Sequence, residues 1–157
     1  MTEQLKPRPF ARIEDGHYLT SDGRPSHFTV AELACRCGCG RKDMDQRTID
    51  MIERIRTQFG TPIFPNCGIR CEAHNRAVGG KELSQHLPRT EGGVIVYGTK
   101  PGGAGRAIDF NLKLWTPDKV YRALDRAAID LGIVGLGKYP GFVHADTRTG
   151  GPARWAG

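Results

Sequence analysis

The sequence predicts an α+β fold, a small antiparallel sheet with two main helices gathered in one domain. Three observations point there. Segments 45–59 and 116–131 carry apolar residues at helical spacing between capping signals. Segments 107–112 and 142–146 read as late strands. The chain has 157 residues, the length of one domain and enough for one core.

Taken in order, residues 1–27 hold Pro7, Pro9, Gly16, Gly23 and Pro25 among scattered charges, and predict an irregular arm with at most one short strand. Residues 28–157 then form the domain. Thr29, with Glu32 three positions later, has capping-box spacing and starts a short helix. From Asp45 to Phe59, Ile49, Ile52, Ile55 and Phe59 share a helical face, and Gly60 ends it. Thr61–Phe64 predicts a short strand, Glu72–Val78 a short helix closed by Gly79-Gly80, and Val94–Tyr97 a strand within a glycine-rich stretch.

Ala107–Leu112 reads as a strand. Thr116-Pro117 starts the second main helix, with Val120, Leu124, Ala127, Ala128 and Leu131 as its buried stripe and Gly132 as its stop. Gly135-Leu136-Gly137 predicts a turn. Phe142–Asp146 is a strand that places His144 and Asp146 on one side, because side chains two apart share a face.

Composition narrows the function. Hydrophobic residues are 38% and charged residues 25%, as in soluble globular proteins. No apolar run approaches the roughly 18 residues of a membrane span, so no membrane insertion is expected. Met1–Pro7 lacks the apolar stretch of a signal peptide, which predicts a cytoplasmic location on synthesis. A net charge of +6 favours anionic polymers. Nucleic-acid binding would need a basic patch with readout residues; no helix concentrates Lys and Arg on one face, so no nucleic-acid partner is expected.

The five cysteines are Cys35, Cys37, Cys39, Cys67 and Cys71. Cys35 with Cys39 and Cys67 with Cys71 have spacings compatible with a tetrahedral zinc site. A disulfide between the clusters and free thiols are the other open readings.

The chemistry concentrates in three pieces: Ser84-Gln85-His86, Gly105-Arg106-Ala107-Ile108-Asp109 and Phe142-Val143-His144-Ala145-Asp146. Two histidines and a carboxylate from separate segments suit a zinc site whose fourth position stays open for water. In order and neighbours these pieces resemble the peptidase M15 family, the zinc D,D-carboxypeptidases and related peptidoglycan peptidases. The pattern Ser-x-His followed by Gly-x-Ala-x-Asp is visible in Ser84, His86, Gly105, Ala107 and Asp109, and the late strand in Val143-His144-Ala145-Asp146. Phe28 through Cys39, and Gly68-Ile69-Arg70-Cys71 with His74-Asn75, resemble segments of the phage-associated branch. The resemblance covers roughly residues 28–155.

The resemblance implies the zinc D,D-carboxypeptidase-type fold and hydrolysis of amide bonds in peptidoglycan stem peptides or cross-links by a monomer carrying one catalytic Zn2+. A phage lysis enzyme acting on the cell wall after release fits this picture. His86, Asp109 and His144 match the metal ligands. Arg70 matches the arginine that engages a substrate carboxylate or carbonyl, a role suited to a two-pronged guanidinium. Ser84 and Gln85 orient the ligand loop or the substrate. Asp146 is the candidate general acid/base, or else the partner that orients a ligand histidine.

Two departures stand out. His86 and Asp109 are farther apart than in the family's usual pattern, so Pro88–Ala104 is an insert, expected as a hairpin flap over the cleft. Gly141 stands where several members carry an acidic catalytic residue. The competing readings are a non-catalytic zinc-binding structural or virion module on the same fold, and a nucleic-acid-binding protein.

Overall fold

Helix formation follows the capping chemistry. In the computed structural model, which describes residues 9–157, the main helix α2 spans Gln46–Phe59. Its N-cap is Asp45, whose carboxylate accepts from the Arg47 amide, and Gly60 ends it in the left-handed region at φ 58°. Thr48, Ile49, Met51, Ile52 and Ile55 are its buried face. The short α1, Val30–Leu33, precedes it with both halves of the Thr29/Glu32 capping box formed. α3 is Glu72–Ala77.

The second main helix is shorter than its apolar stripe suggests. α4 covers Pro117–Arg126, capped by Thr116. The chain then breaks at Ala127 and resumes as α5, Ala128–Leu131. The Ala127 amide bonds back only three residues, to the Leu124 carbonyl, which tightens the turn and separates the two pieces.

A five-stranded sheet lies at the centre: β4 (Ile63–Cys67), β5 (Ala107–Leu112), β6 (Gly135–Lys138), β7 (Val143–Asp146) and β8 (Ala153–Ala156), in spatial order β4-β5-β7-β6-β8. The expected all-antiparallel sheet holds for every pair but one, since β8 runs parallel to β6. β6 and β7 are antiparallel neighbours. After β7 the chain reverses, passes β6 and adds to its outer edge, so β8 must share β6's direction. Gly135–Gly137, expected as a turn, is thus a strand. Its glycines are required by close neighbours: a methyl on Gly137 would overlap the Trp155 ring, and one on Gly135 the Asp146 carboxylate.

One face of the sheet is apolar. Ile108, Phe110, Leu112, Leu136, Val143 and Ala145 join the core with the buried residues of α2 and α4. The alternate residues point to the opposite face, which carries the site.

The N-terminal segment departs from the expected irregular arm. Residues 1–8 lie outside the described residues, but β1 (Ile13–Glu14), β2 (His17–Leu19) and β3 (Pro25–Thr29) form an antiparallel three-stranded sheet. Asp15 and Gly16, at φ 50° and 78°, make the tight turn that right-twisted strands need. Tyr18 and Phe28 bury themselves in the core. Val94–Tyr97 is not a strand; only Ile95 makes a bridge, to Arg89. Val94 and Tyr97 are exposed, so no core face recruits them. Among the described residues no helix is long and apolar enough to cross a membrane.

Candidate metal centre and cleft

The site is a row across the sheet. Register pairs Cys67 with Asp109, Asp109 with His144, His144 with Gly137, and Gly137 with Trp155. Directly paired residues share a face, so the row presents Cys67, Asp109, His144 and Trp155 together, over a gap at Gly137 that lets Trp155 lean in. The His144 and Trp155 ring centroids are 5.0 Å apart. The next row on the same face pairs Ala107 with Asp146 and Asp146 with Gly135.

His86 reaches the row from the loop that precedes the insert. Its backbone carbonyl accepts from the Arg70 amide, fixing that loop against the segment after β4. Its Nδ1 donates to the Gly68 carbonyl at 2.6 Å, so Nε2 is the ring nitrogen that can offer a lone pair to a metal. That Nε2 is buried without a hydrogen-bond partner, 3.1 Å from Asp109 Oδ1 but out of line for a hydrogen bond. On the other side, His144 Nε2 lies 2.7 Å from Asp146 Oδ2, and His144 Nδ1 lies 3.0 Å from Asp109 Oδ1. With the proton on the shorter, Asp146 side, Nδ1 also presents a lone pair. Two imidazole lone pairs and a carboxylate oxygen therefore converge in a buried place, each ring held from behind. This donor set fits a divalent metal such as zinc.

The field at the site favours positive charge: without a metal it draws a second proton onto His86, and a bound cation would take that proton's place at Nε2. Burial works against a charged His86, but the field of Asp109 prevails and lifts its pKa to about 10. Burial likewise opposes ionisation of Asp109; His86 and His144 outweigh it and hold the carboxyl well below the usual carboxylate range. The site is built for charge compensation between these groups.

Of the other expected residues, Arg70 is beside the row. It donates from Nε to Cys67 Sγ at 3.1 Å, from Nη1 to Asn75 Oδ1 at 3.0 Å and from Nη2 to Asp109 Oδ2 at 3.3 Å. A side chain at Gly80 would collide with Asn75 and Arg70, so glycine is needed there. Ser84, Gln85, His86, Asp109, His144 and Arg70 all line one cleft of about 700 Å³. Ser84 Oγ accepts from the His86 amide at 3.2 Å.

Asp146 is not where a general acid/base would act. Its carboxylate is wholly buried and faces the outer nitrogen of His144, away from Asp109. It is also gripped by Arg148 through Nε at 2.9 Å and Nη2 at 2.7 Å and by the Gly135 amide at 3.1 Å. The shared strand face was legible, and of the two roles the sequence left open for Asp146 this position suits the one that orients a ligand histidine.

Sequence reasoning missed Cys67, Arg148 and Trp155 as parts of this site. Cys67 Sγ is 3.7 Å from His86 Nδ1. Its burial disfavours the thiolate, but His86 and Arg70 prevail and lower its pKa. The Arg148 guanidinium sits 5.0 Å over the Trp155 ring. The Asp-x-Arg spacing of Asp146 and Arg148 was the available signal.

The insert does not form a flap over the cleft, since none of residues 88–104 lines it. Arg41 draws it aside by donating to the carbonyls of Gly98, Lys100 and Gly102. Buried Arg106 holds its near end through the carbonyls of Thr90 and Glu91.

Comparison with known proteins adds one finding: the sequence model of the family described as Peptidase M15 matches residues 26–146. No curated protein and no solved structure matches the chain.

Proposed function

The chain belongs to the peptidase M15 family, and from that premise we propose that it is a zinc-dependent peptidase that hydrolyses amide bonds in peptidoglycan stem peptides or cross-links. The observation that carries the reading is the convergence of His86 Nε2, Asp109 Oδ1 and His144 Nδ1 on the wall of the cleft. When bound there, zinc supplies Lewis-acid polarisation of the scissile carbonyl and a more acidic water.

The chain's own residues do the rest. Gly68 and Asp146 fix the two ligand imidazoles from behind, so neither ring can turn its proton toward the metal position. Arg148 holds Asp146 as a carboxylate. Arg70, Lys81 and Arg148 line the cleft, whereas Asp109 is the one acidic side chain among its described lining residues. That imbalance suits a substrate with free carboxylates, as stem peptides have. Arg70 is placed to hold such a group while bracing Asp109, with Ser84 and Gln85 shaping the same wall. A zinc D,D-carboxypeptidase-type fold and a place among phage-associated wall enzymes belong to this proposal and rest on the motif resemblance.

A second reading, a non-catalytic zinc-binding module on the same fold, is favoured by one observation. Among the described residues the cleft offers no acidic side chain beyond the ligand Asp109, and Gly141 stands where several members carry an acidic residue. Incubating the zinc-loaded protein with purified sacculi, followed by mass analysis of the soluble fragments, separates the two. Released peptides with new termini support the peptidase. Intact sacculi, with zinc bound at His86, Asp109 and His144, support the module.

A further inference from the structure

We propose that Cys35, Cys37, Cys39 and Cys71 hold a second zinc ion, a structural one, outside the cleft. Their four sulfurs lie within 4.8 Å of one another. Cys35 and Cys37 Sγ are 3.4 Å apart, and Cys37 and Cys71 Sγ are 3.6 Å apart. A zinc ion bonded to four thiolates at about 2.3 Å sets sulfur–sulfur edges of about 3.8 Å. The observed separations approach that tetrahedron and far exceed a covalent S–S bond of about 2.05 Å. All five cysteines are unbridged.

The backbone is shaped for this cluster. The Cys35 amide donates to the Arg41 carbonyl at 2.9 Å, closing a loop around Cys37 and Cys39. Gly38 and Gly40, at φ 79° and 92°, supply the left-handed turns that bring alternate sulfurs to one side. The fourth sulfur arrives from Cys71, at the start of α3. Amides point at the sulfurs: Cys71 N–H donates to Cys35 Sγ and His74 N–H to Cys71 Sγ, both at 3.4 Å. Such bonds are strongest to thiolate acceptors. Arg36, Arg41 and Lys42 stand in or beside the same loop, which carries no acidic residue from Cys35 to Lys42. A soft, all-sulfur tetrahedral set selects zinc over hard cations.

The grouping differs from the one the spacing suggested. Cys67 belongs to the cleft row, and Cys37 takes its place beside Cys35, Cys39 and Cys71. The ion would do mechanical work. Cys37 and Cys39 are exposed, so the loop has no apolar core of its own to hold it. Bonding it to Cys71 ties the segment after α1 to the residue next to Arg70. It also fixes Arg41, whose guanidinium gathers the insert.

The test is a metal count on the full chain prepared with reductant, combined with cobalt substitution. The expected result is two zinc ions per chain in the wild type. Cys37→Ser/Cys39→Ser replaces exposed side chains and should keep the fold, lose one ion and retain the cleft ion. His86→Ala/His144→Ala should lose the other ion and, when loaded with cobalt, keep the near-ultraviolet thiolate-to-cobalt absorption. The double-serine variant should lack the four-thiolate band. Failure of the cleft site is therefore read separately from failure of this one. An unchanged count and spectrum in the double-serine variant overturns the proposal. So does a cobalt-loaded wild type without the thiolate band, or a Cys35–Cys39 disulfide that persists in reductant.

Discussion

Replacing Asp146 by Asn tests whether this carboxylate sets the tautomer of His144. Every group around Asp146 is a donor: Arg148 Nε and the amides of Arg148 and Gly135 on Oδ1, His144 Nε2 and Arg148 Nη2 on Oδ2. An Asn amide must turn its NH₂ toward one of these sets. Facing His144, it forces the imidazole to accept at Nε2 and carry its proton on Nδ1, where the lone pair for the metal would be. Zinc affinity should therefore fall about 10–100-fold, the usual cost of losing such a partner, or about 1.4–2.7 kcal/mol. Stability should fall as well, because Arg148 loses its partner beside a wholly buried group. Removing one member of a buried pair costs about 3–5 kcal/mol, and Arg148 is 25% exposed, which places the loss near about 3. The sign with pH follows. Burial opposes the charge on Asp146, but His144 and Arg148 outweigh it and hold its pKa below the ordinary value. Its contribution is then present above the unfolded-state pKa of about 3.9 and is lost as pH falls through the depressed folded-state value. The variant's deficit should shrink below about pH 4. Chelator competition gives the affinity and thermal melts at several pH values give the stability. Wild-type zinc affinity with abolished hydrolysis would refute the orienting role and return Asp146 to general acid/base.

Three further outcomes are expected. Arg70→Lys removes a guanidinium bonded to Cys67, Asn75 and Asp109; zinc should stay bound while peptide turnover drops, because a point charge cannot reproduce the fork, and unchanged kinetics on every wall peptide would take Arg70 out of the mechanism. Gly137→Ala pushes a methyl into Trp155, so melts should show a loss of about 1–3 kcal/mol, as for other overpacked sites, with altered tryptophan emission; a variant matching the wild type in both contradicts the packing described. Deleting residues 92–102 removes acceptors of Arg41 but no wall of the cleft, so stability should fall and the pattern of released wall fragments should not change. A changed pattern would restore the insert as a substrate cover.

The helices were legible because local chemistry dictates them. The Thr29/Glu32 box, the Asp45 cap and the Gly60 stop act within a few residues of the turns they control. His86, Asp109 and His144 could be picked out because their short motifs survive in sequence even though an insert separates the first two. What escaped depends on register and on partners far along the chain. Cys67 reaches Asp109 through a β4 irregularity between Pro65 and Cys67, and no spacing rule reports which face a bulged strand presents. The role of Asp146 turned on which ring nitrogen it meets. The N-terminal hairpin did have a local sign, the Asp15-Gly16 turn between partly apolar runs, but the surrounding prolines and glycines obscured it. Val94–Tyr97 failed for the opposite reason: apolar residues suggested a strand, and no neighbouring strand needed one.

The central claim is that His86, Asp109 and His144 are the ligands of one metal. Anomalous diffraction at the zinc edge from crystals of the zinc-loaded protein tests it most directly. The account predicts a peak at about 2.0–2.2 Å from His86 Nε2, an Asp109 carboxylate oxygen and His144 Nδ1 together. No peak at that position, or a cleft peak bound by Cys67 and His86 Nδ1 instead, would contradict it.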